Sequence, residues 1–367
     1  MDPSTLAGQP PSGGSVLING RFLTRPATGV DRFASEVMRA LRLAPNLLGN
    51  VQVASPRSVH PGVQAPHEDL KIQRCGRTSG HLWEQLELPG YAGDRFLMNL
   101  CNTGPLFRER QMVVIHDAAT MATPSNYGKA FRLWYRTMIG QLMHHSRLVT
   151  TVSRFSADEL VRHFGRPRNG IEVVPESGEH ILRLPADRRI LQRLGLEQGR
   201  FVLAVGSRAR NKNLKATRAA MALLNDTGLN VVAVGASNQR VFAETGSDGI
   251  NPIFTGYLTD PELRALYESA FCFVFPSLYE GFGLPPLEAM TCGCPVIVSD
   301  RASLPEVCAG GALYCDPDDP STIAATVRSL LASKNLRDEM IAKGKQRAMT
   351  FNWASTAAQV ASLVARH

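Results

Sequence analysis

The 367-residue sequence has no long apolar run, little lysine and no paired cysteine motif. No apolar stretch approaches the ~18–20 residues that span a bilayer, which argues against an integral membrane protein. The 7 cysteines are odd in number and show no C-x-x-C spacing. They therefore predict neither a disulfide framework nor a zinc site, and we expect packed thiols in a reducing cytoplasm.

Positive charge is what the sequence does have. It contains 40 Lys and Arg residues against 32 Asp and Glu, a formal net charge of +8. Such an excess favours a nucleic acid, an anionic membrane surface or a phosphorylated substrate as partner. A GC-rich genome would explain the preference for arginine over lysine, but not the sign of the charge.

Short apolar runs alternate with longer helical patterns along the chain. The predicted strands cover 16–18, 51–54, 112–115, 148–152 and 171–174, and then 201–205, 230–234, 271–275 and 295–298. Apolar spacing predicts a helix over 29–43, and Ser153 is expected to cap a helix that runs through Phe164. Because strands and helices alternate, we predict an α/β protein with parallel sheets covered on both faces.

A basic, weakly apolar stretch at 181–200 separates two strand series, so we predict two doubly wound domains, over 16–182 and 183–351. Residues 1–15 are rich in proline and glycine and lack the features of a signal peptide, and we interpret them as a flexible leader. Ligands of such folds bind at the carboxyl ends of the strands.

The densest signal is the run S-L-Y-E-G-F-G-L-P-P-L-E-A-M, residues 277–290. Two glycines are followed by two prolines, and proline is tolerated in the first turn of a helix. We expect a tight loop over 281–284 that presents backbone N–H groups at a helix N-terminus, an arrangement suited to an anion or a hydroxyl. Glu280 and Glu288 flank this loop and can contact different parts of one elongated ligand. A structural turn with surface carboxylates is the alternative.

This run resembles the E-x7-E signature of the retaining glycosyltransferases of family 4, which have the GT-B fold. Further similar segments, spread over nearly the whole chain, are His116–Asp117, Thr151–Ser153, Val205–Gly206, Lys212–Leu214, Phe254–Leu258, Thr291–Ser299, Leu304–Val307 and Phe351–Trp353. The resemblance implies two Rossmann-like domains with a cleft between them. The first would bind the acceptor and include a returning C-terminal helix, 352–367, and the second would bind a nucleotide sugar.

The resemblance also implies roles for side chains of the second domain. Glu280 would face the donor sugar near the anomeric carbon, and Glu288 would accept hydrogen bonds from the ribose hydroxyls. Lys212 would contact the diphosphate and stabilise the departing nucleotide. The other implied donor-binding residues are Gly206, Tyr257, Leu258, Gly281, Phe282, Gly283 and Leu284.

The phosphate contact departs from the family pattern. The family often has a basic residue beside the lysine or just after the strand glycine, whereas this sequence has Asn211 and Ser207 there. We expect Arg208, in preference to Arg210, to supply the missing charge. A solvated arginine is the alternative.

Three residues of the first domain belong to the same resemblance. Gly29 opens the first long helix, where glycine permits close approach of a diphosphate. His116 follows a buried strand and would contact the donor sugar and the reacting region, with a structural histidine as the alternative. Asp117 is ambiguous, because aspartate commonly caps a helix or turn.

The resemblance implies retaining transfer without a protein nucleophile, in which the leaving phosphate accepts the proton of the incoming hydroxyl. No Asp-x-Asp motif follows a predicted strand, so we expect no metal and no cofactor. Positive side chains and helix ends would take the metal's place.

The net positive charge is larger over residues 1–180, where we expect the acceptor. The stretch 128–147 mixes basic and aromatic residues, which is typical of helices that lie on anionic membranes. A helix packed into the domain with solvated arginines is the alternative. The charge motivates a glycan or polyprenyl-diphosphate-linked acceptor, and a cytoplasmic enzyme that is peripheral on the inner face of the membrane.

We therefore expect a retaining hexosyltransferase of bacterial surface polysaccharide synthesis, with GDP-mannose as the favoured donor. Nucleotide sugars that carry rhamnose, fucose, glucose or N-acetylglucosamine remain alternatives. A basic nucleic-acid-binding or scaffold protein is the competing class, although no nucleic-acid-binding module supports it.

Overall fold

The computed structural model describes residues 16–25, 28–57, 72–206, 210–235 and 252–367. The chain divides into two compact units. The first comprises the residues up to Glu176 together with Trp353–His367, and the second comprises Ser177–Asn352. The first change of unit thus falls after Glu176 rather than after 182. The reason is local, because the segment that follows Glu176 packs on a helix of the second unit.

A single parallel sheet organises the described residues of the first unit, in the strand order β3-β2-β1-β4-β5-β6-β7. The strands are β1 (Val16–Asn19), β2 (Val51–Pro56), β3 (Ile72–Cys75), β4 (Phe96–Asn99), β5 (Gln111–Val114), β6 (Leu148–Thr151) and β7 (Ile171–Val173). The helices are α1 (Gly29–Leu43), α2 (Gly80–Leu82), α3 (Leu88–Ala92), α4 (Ala119–Ala122), α5 (Lys129–His145) and α6 (Arg154–Phe164). A π-helical turn covers Trp83–Glu87, and 3-10 turns cover Gly20–Thr24 and Pro124–Asn126.

The second unit has a parallel sheet in the order β10-β9-β8-β11-β12-β13. Its strands are β8 (Phe201–Val205), β9 (Asn230–Val234), β10 (Ile253–Gly256), β11 (Cys272–Phe275), β12 (Val296–Ser299) and β13 (Leu313–Cys315). Its helices are α7 (Arg189–Leu194), α8 (Leu214–Ala222), α9 (Asp260–Ser269), α10 (Leu284–Thr291), α11 (Leu304–Cys308), α12 (Pro320–Ala332) and α13 (Lys334–Ala348). Its 3-10 turns are Glu179–Leu182, Arg210–Lys212, Asn225–Thr227 and Ala309–Gly311.

Both sheets follow the same doubly wound order, which reverses between the first strand of the series and its fourth. In the first unit the reversal lies between β1 and β4, where Val16 pairs with Phe96 in parallel register. In the second it lies between β8 and β11, where Val202 pairs with Cys272. The predicted Rossmann-like fold class is confirmed, and the crevice that such folds use for ligands lies at these reversals.

Helix α1 shows how the local patterns produce the elements. It covers 29–43 as predicted and buries Phe33, Val37, Met38 and Leu41 on one face. The predicted cap of α6 is also present, since the Ser153 hydroxyl accepts from the Ser156 N–H at 3.0 Å. Such a cap satisfies a backbone donor that has no partner within the helix.

Some strands had no recognisable pattern in the sequence. The central strand β4 reads F-L-M-N and has no β-branched residue, which weakens its propensity signal. Its terminal Asn99 is buried and donates to the Gln111 side chain at 2.9 Å, so a polar side chain occupies the middle of the sheet. The strands β3, β10 and β13 are short or polar and were also not predicted.

The C-terminal helix α14 (Trp353–Ala365) packs on the first unit. Thr356 Oγ1 donates to the Pro175 carbonyl at 2.9 Å, and Gln359 Nε2 donates to the Val173 carbonyl at 2.7 Å. The Trp353 ring meets Phe33 edge to face, with ring centroids 6.0 Å apart. The chain therefore returns to its first unit at the end.

Candidate active site

The carboxyl ends of β8 and β11 place the predicted phosphate and sugar residues together. Gly206 follows β8, and Lys212 ends the turn after it. Lys212 Nζ lies 2.7 and 3.0 Å from the two carboxylate oxygens of Glu280. The same ammonium stands 5.2 Å from the centre of the Phe275 ring, the last residue of β11. Both partners of this ion pair are mostly buried.

The loop that carries Glu280 is fixed by hydroxyl groups that the sequence did not single out. Ser277 Oγ donates to Glu280 Oε1 at 2.5 Å. Ser303 Oγ lies 3.0 Å from the carbonyl oxygen of Glu280 and 2.8 Å from that of Phe282. These contacts hold both the carboxylate and its backbone, so the charge of Glu280 has a defined position.

Asn211 takes a structural part where the family pattern leads one to expect a cation. Its side-chain amide donates to the Tyr279 carbonyl at 3.0 Å, and its own carbonyl accepts from the Leu278 N–H at 2.7 Å. Asn211 thus ties the lysine turn to the glutamate loop. The expected phosphate residue Arg208 and its neighbour Ser207 lie outside the described residues, and Arg210 is exposed.

The glycine loop ends where helix α10 begins, as the two prolines predict. Gly283 has a φ of 106° and directly precedes Leu284, the first helical residue. The positive φ favours glycine, and a Cβ atom at Gly283 would lie 2.7 Å from Leu304 Cδ2, so the Leu304 side chain would have to shift. Gly281, Phe282, Gly283 and Leu284 are all buried against the rest of the unit.

Glu288 lies in α10, and two buried side chains bind its carboxylate. Oε1 is 2.9 Å from His180 Nε2, and Oε2 accepts from the Tyr267 hydroxyl at 3.2 Å. Burial and the adjacent Glu288 charge raise the pKa of Tyr267 well above its ordinary value, so its hydroxyl keeps its proton. Neither partner was assigned a role from the sequence, because both contacts join segments that are distant along the chain.

The remaining donor-binding predictions fall just after strands or, for Gly29, at the start of a helix. Tyr257 and Leu258 follow β10, and the Tyr257 side chain is 89% exposed. A Cβ at Gly206 would come within 3.1 Å of Lys212 Cβ, so glycine allows the lysine turn to lie close to β8. At Gly29, the first residue of α1, an added Cβ would meet nothing within 4 Å. Packing therefore does not require glycine at that position.

His116 is buried just beyond β5 and is bonded on both sides of its ring. Nδ1 lies 3.2 Å from Glu176 Oε1, and Nε2 lies 3.1 Å from the Leu100 carbonyl. Burial disfavours the charged ring, but the hydrogen bond and the charge of Glu176 outweigh it and raise the pKa of His116. Both nitrogens face acceptors, so a sugar hydroxyl could bind a ring nitrogen only by replacing one of them.

Asp117 makes a capping contact, as expected if its role is structural. Its Oδ1 accepts from the Ala119 N–H at 2.8 Å, at the start of the short helix α4. This is an aspartate turn, which satisfies a backbone donor. Glu176, by contrast, is a partner of His116 that no sequence pattern predicts.

Within the described residues, no group of three or more His, Cys, Asp or Glu side chains is arranged to hold a metal ion. None of the described helices combines the length and the apolar character needed to cross a membrane. The 7 cysteines are all unpaired, and only Cys292 is not fully buried. The expectation of packed thiols is confirmed.

Two Rossmann-like parallel sheets, with a C-terminal helix that returns to the first unit, define the class of the protein as GT-B. A solved structure of Anabaena Alr3699/HepE in complex with UDP-glucose has the same fold, with a TM-score of 0.77. The two sequences are 15% identical, and the match covers 96% of this chain and 100% of that one. This similarity establishes the fold alone.

The family described as glycosyl transferases group 1 matches residues 187–347. O-antigen chain mannosyltransferase B of Escherichia coli is 31% identical, over 91% of this chain and 95% of that protein. The chain belongs to the group 1 glycosyl transferases. It also resembles serotype-specific mannosyltransferase WbdA of Escherichia coli, at 28% identity over 68% of this chain, but spans only 32% of that longer protein.

Proposed function

We propose that this glycosyl transferase moves mannose from GDP-mannose to a glycan or polyprenyl-diphosphate-linked acceptor during synthesis of a bacterial surface polysaccharide. The names of two relatives, both mannosyltransferases and one of them of the O-antigen chain, support the sugar and the process. The observation that carries the proposal is the ion pair of Lys212 and Glu280 at the carboxyl edge of the second sheet. Family membership favours this reading over a basic scaffold protein.

The donor is proposed to bind along the carboxyl ends of β8, β10 and β11. Lys212 offers a point charge to the diphosphate, and the start of α10 adds the positive end of a helix dipole. Glu280 lies beside the sugar and Glu288 beside the ribose. Because Lys212 already binds Glu280, an arriving diphosphate shares the ammonium, which has three donors.

The proposed reaction retains the configuration at the anomeric carbon. The bond between that carbon and the phosphate oxygen breaks, and a bond to the acceptor hydroxyl oxygen forms on the same face. The hydroxyl proton passes to the leaving phosphate oxygen. In this scheme Lys212 stabilises the charge that grows on the phosphate, while Glu280, fixed by Ser277, stabilises the positive sugar carbon.

The acceptor is proposed to bind the first unit, with helix α5 contacting an anionic membrane. Met138, Ile139, Leu142 and Met143 anchor the second half of α5 in the core. Phe131, Leu133 and Trp134 in its first half are exposed, beside Lys129, Arg132 and Arg136. Exposed aromatic residues among basic ones suit an anionic bilayer surface.

Flotation with vesicles that contain anionic lipid tests this membrane contact. Wild-type protein should float with the vesicles at low salt, and Leu133→Glu should remain at the bottom. Leu43→Glu is the matched control, because both leucines are 68% exposed in helices of the same unit. Equal flotation of the two variants, or none by the wild type, removes the membrane from the proposal.

A direct assay tests the donor. Thermal shifts with GDP, UDP, dTDP and their sugars identify which ligand stabilises the native state. Transfer of labelled sugar from that donor to isolated lipid-linked glycan is then measured. GDP-mannose should give the largest shift and the product should be an α-linked mannoside. A larger shift and faster transfer with a rhamnose, fucose, glucose or N-acetylglucosamine donor would replace mannose in the proposal.

A further inference from the structure

Each carboxylate oxygen of Glu288 already has a buried hydrogen-bonding partner. His180, whose side chain has no exposed area, approaches Oε1, and Tyr267, equally buried, donates to Oε2. The second ring nitrogen of His180 lies 3.2 Å from the Ser177 carbonyl. Both ring nitrogens of His180 therefore face oxygen atoms, so the ring is held between the Ser177 carbonyl and the Glu288 carboxylate.

The approach of His180 to α10 is built into the backbone. A Cβ at Gly178 would lie 2.8 Å from the carbonyl carbon and oxygen of Leu287, the residue before Glu288. Only glycine lets the segment from Ser177 to His180 lie this close to the helix. The Ser177 hydroxyl also donates to the Phe351 carbonyl at 3.1 Å, which fixes the other side of the segment.

The contacts with His180 and Tyr267 limit how many further hydrogen bonds the Glu288 carboxylate can accept. An ionised carboxylate has about four lone-pair sites, two on each oxygen. His180 occupies one site on Oε1 and Tyr267 one on Oε2, so each oxygen keeps one site for a ligand. A vicinal diol presents two hydroxyl donors side by side, which matches one remaining site on each oxygen.

We infer that His180 and Tyr267 are positioning residues that orient Glu288 to read both ribose hydroxyls, so that the site selects ribonucleotide donors over 2′-deoxyribonucleotide ones. The inference rests on the proposed role of Glu288 at the ribose. It narrows the donor class, because a dTDP-sugar offers only one of the two hydroxyls. Neither positioning residue contacts the reacting atoms.

Calorimetric titration with matched nucleotide pairs tests the inference without knowledge of the base. The pairs are GDP with 2′-deoxy-GDP and UDP with 2′-deoxy-UDP, used on the full-length chain. For the pair that binds, loss of one hydrogen bond to a charged group should raise Kd about tenfold in the wild type. In His180→Gln and in Tyr267→Phe the ratio of the two Kd values should fall toward one.

The variants are chosen to separate positioning from folding. Tyr267→Phe removes one hydroxyl and keeps the buried ring. It therefore still tests the positioning of Glu288 if His180→Gln does not fold. His163→Gln is the matched control, because His163 pairs with Glu159 at 3.6 Å in the first unit. The control should keep the wild-type ratio. In steady-state assays the two positioning variants should raise the donor KM and leave kcat within about twofold.

The titrations distinguish failure of the inference from failure of the proposed function. Equal Kd values for the ribose and deoxyribose forms in a wild type that binds them overturn the inference and leave the proposed function standing. A wild-type ratio that persists unchanged in both positioning variants also overturns it. If no nucleoside diphosphate binds the wild type at all, the proposed function falls, and the inference falls with it.

Discussion

The carboxylate of Glu280 carries the clearest prediction at the scale of single residues. It pairs with Lys212, accepts from Ser277 and is mostly buried. Glu280→Ala should lower kcat for transfer by two or more orders of magnitude, as loss of a transition-state electrostatic contact does. The fold should persist, since the loop keeps its backbone contacts to Ser303.

Transfer rates and melting curves check this prediction. Glu339→Ala, which removes an exposed glutamate that pairs with Lys343 on α13, is the control and should leave transfer unchanged. An active Glu280→Ala enzyme would remove Glu280 from the proposed chemistry.

The buried pair of His116 and Glu176 predicts a pH dependence of stability. The pKa of His116 is raised above 6.5, its ordinary value. A raised native pKa means that the protonated ring stabilises the fold below pH 6.5, and that this contribution is lost as the pH rises through the native pKa. The free energy of unfolding should therefore contain a component that falls over that range.

Urea unfolding of wild type and Glu176→Gln at pH 5.5 to 8.5 measures this component. The variant should be less stable at the acid end, and the difference should shrink as the pH rises. Glu159→Gln, beside the partly exposed His163, is the control and should show a smaller change. A difference that grows with pH would contradict the assigned protonation of His116.

At the scale of an element, the start of α10 depends on Gly283. Its φ of 106° is strained for any residue with a side chain, and an added methyl group would meet Leu304. Gly283→Ala should therefore destabilise the protein by about 1–3 kcal/mol and weaken donor binding through displacement of the loop.

Melting curves and donor titration measure both effects. Gly310→Ala is the control within the same unit, because a Cβ there would meet nothing within 4 Å. A Gly283→Ala protein as stable as the control would mean that the loop adapts without strain.

For the whole molecule, the thiols test how completely the two cores are packed. Burial raises the pKa of Cys272, Cys292, Cys308 and Cys315 to about 12. Thiolate is the reactive form, so the native protein should react slowly with a disulfide reagent at neutral pH. Unfolding in urea should then release all 7 equivalents. Rapid release of several equivalents from native protein would show that the cores open readily.

The net charge of +8 is also a property of the whole molecule, and only some of the basic residues have a proposed role. Lys212 is placed in the second unit beside Glu280. Lys129 and Arg136 are exposed in the first half of α5, and Arg132 is half-buried there. Other arginines form surface ion pairs, such as Arg328 with Asp226, which contribute little to stability.

Local patterns were sufficient to predict the fold class, helix α1, the cap of α6 and the glycine loop before α10. Each depends on residues close together in the sequence: apolar spacing, a serine before a helix, or glycines and prolines around a turn. The resemblance supplied the family and the candidate roles of Lys212, Glu280 and Glu288. Strand β4 was not predicted, because its apolar run is short and its asparagine faces a polar partner on β5.

Only the tertiary structure decided how those side chains are held. Ser303 meets the Glu280 loop, Glu176 meets His116, and His180 and Tyr267 meet Glu288, each across a long stretch of chain. Such contacts depend on which strand ends lie side by side in a doubly wound sheet, and no local spacing encodes that. The sequence by itself thus determined which chemical groups the site contains, while packing determined which side chains hold each of them.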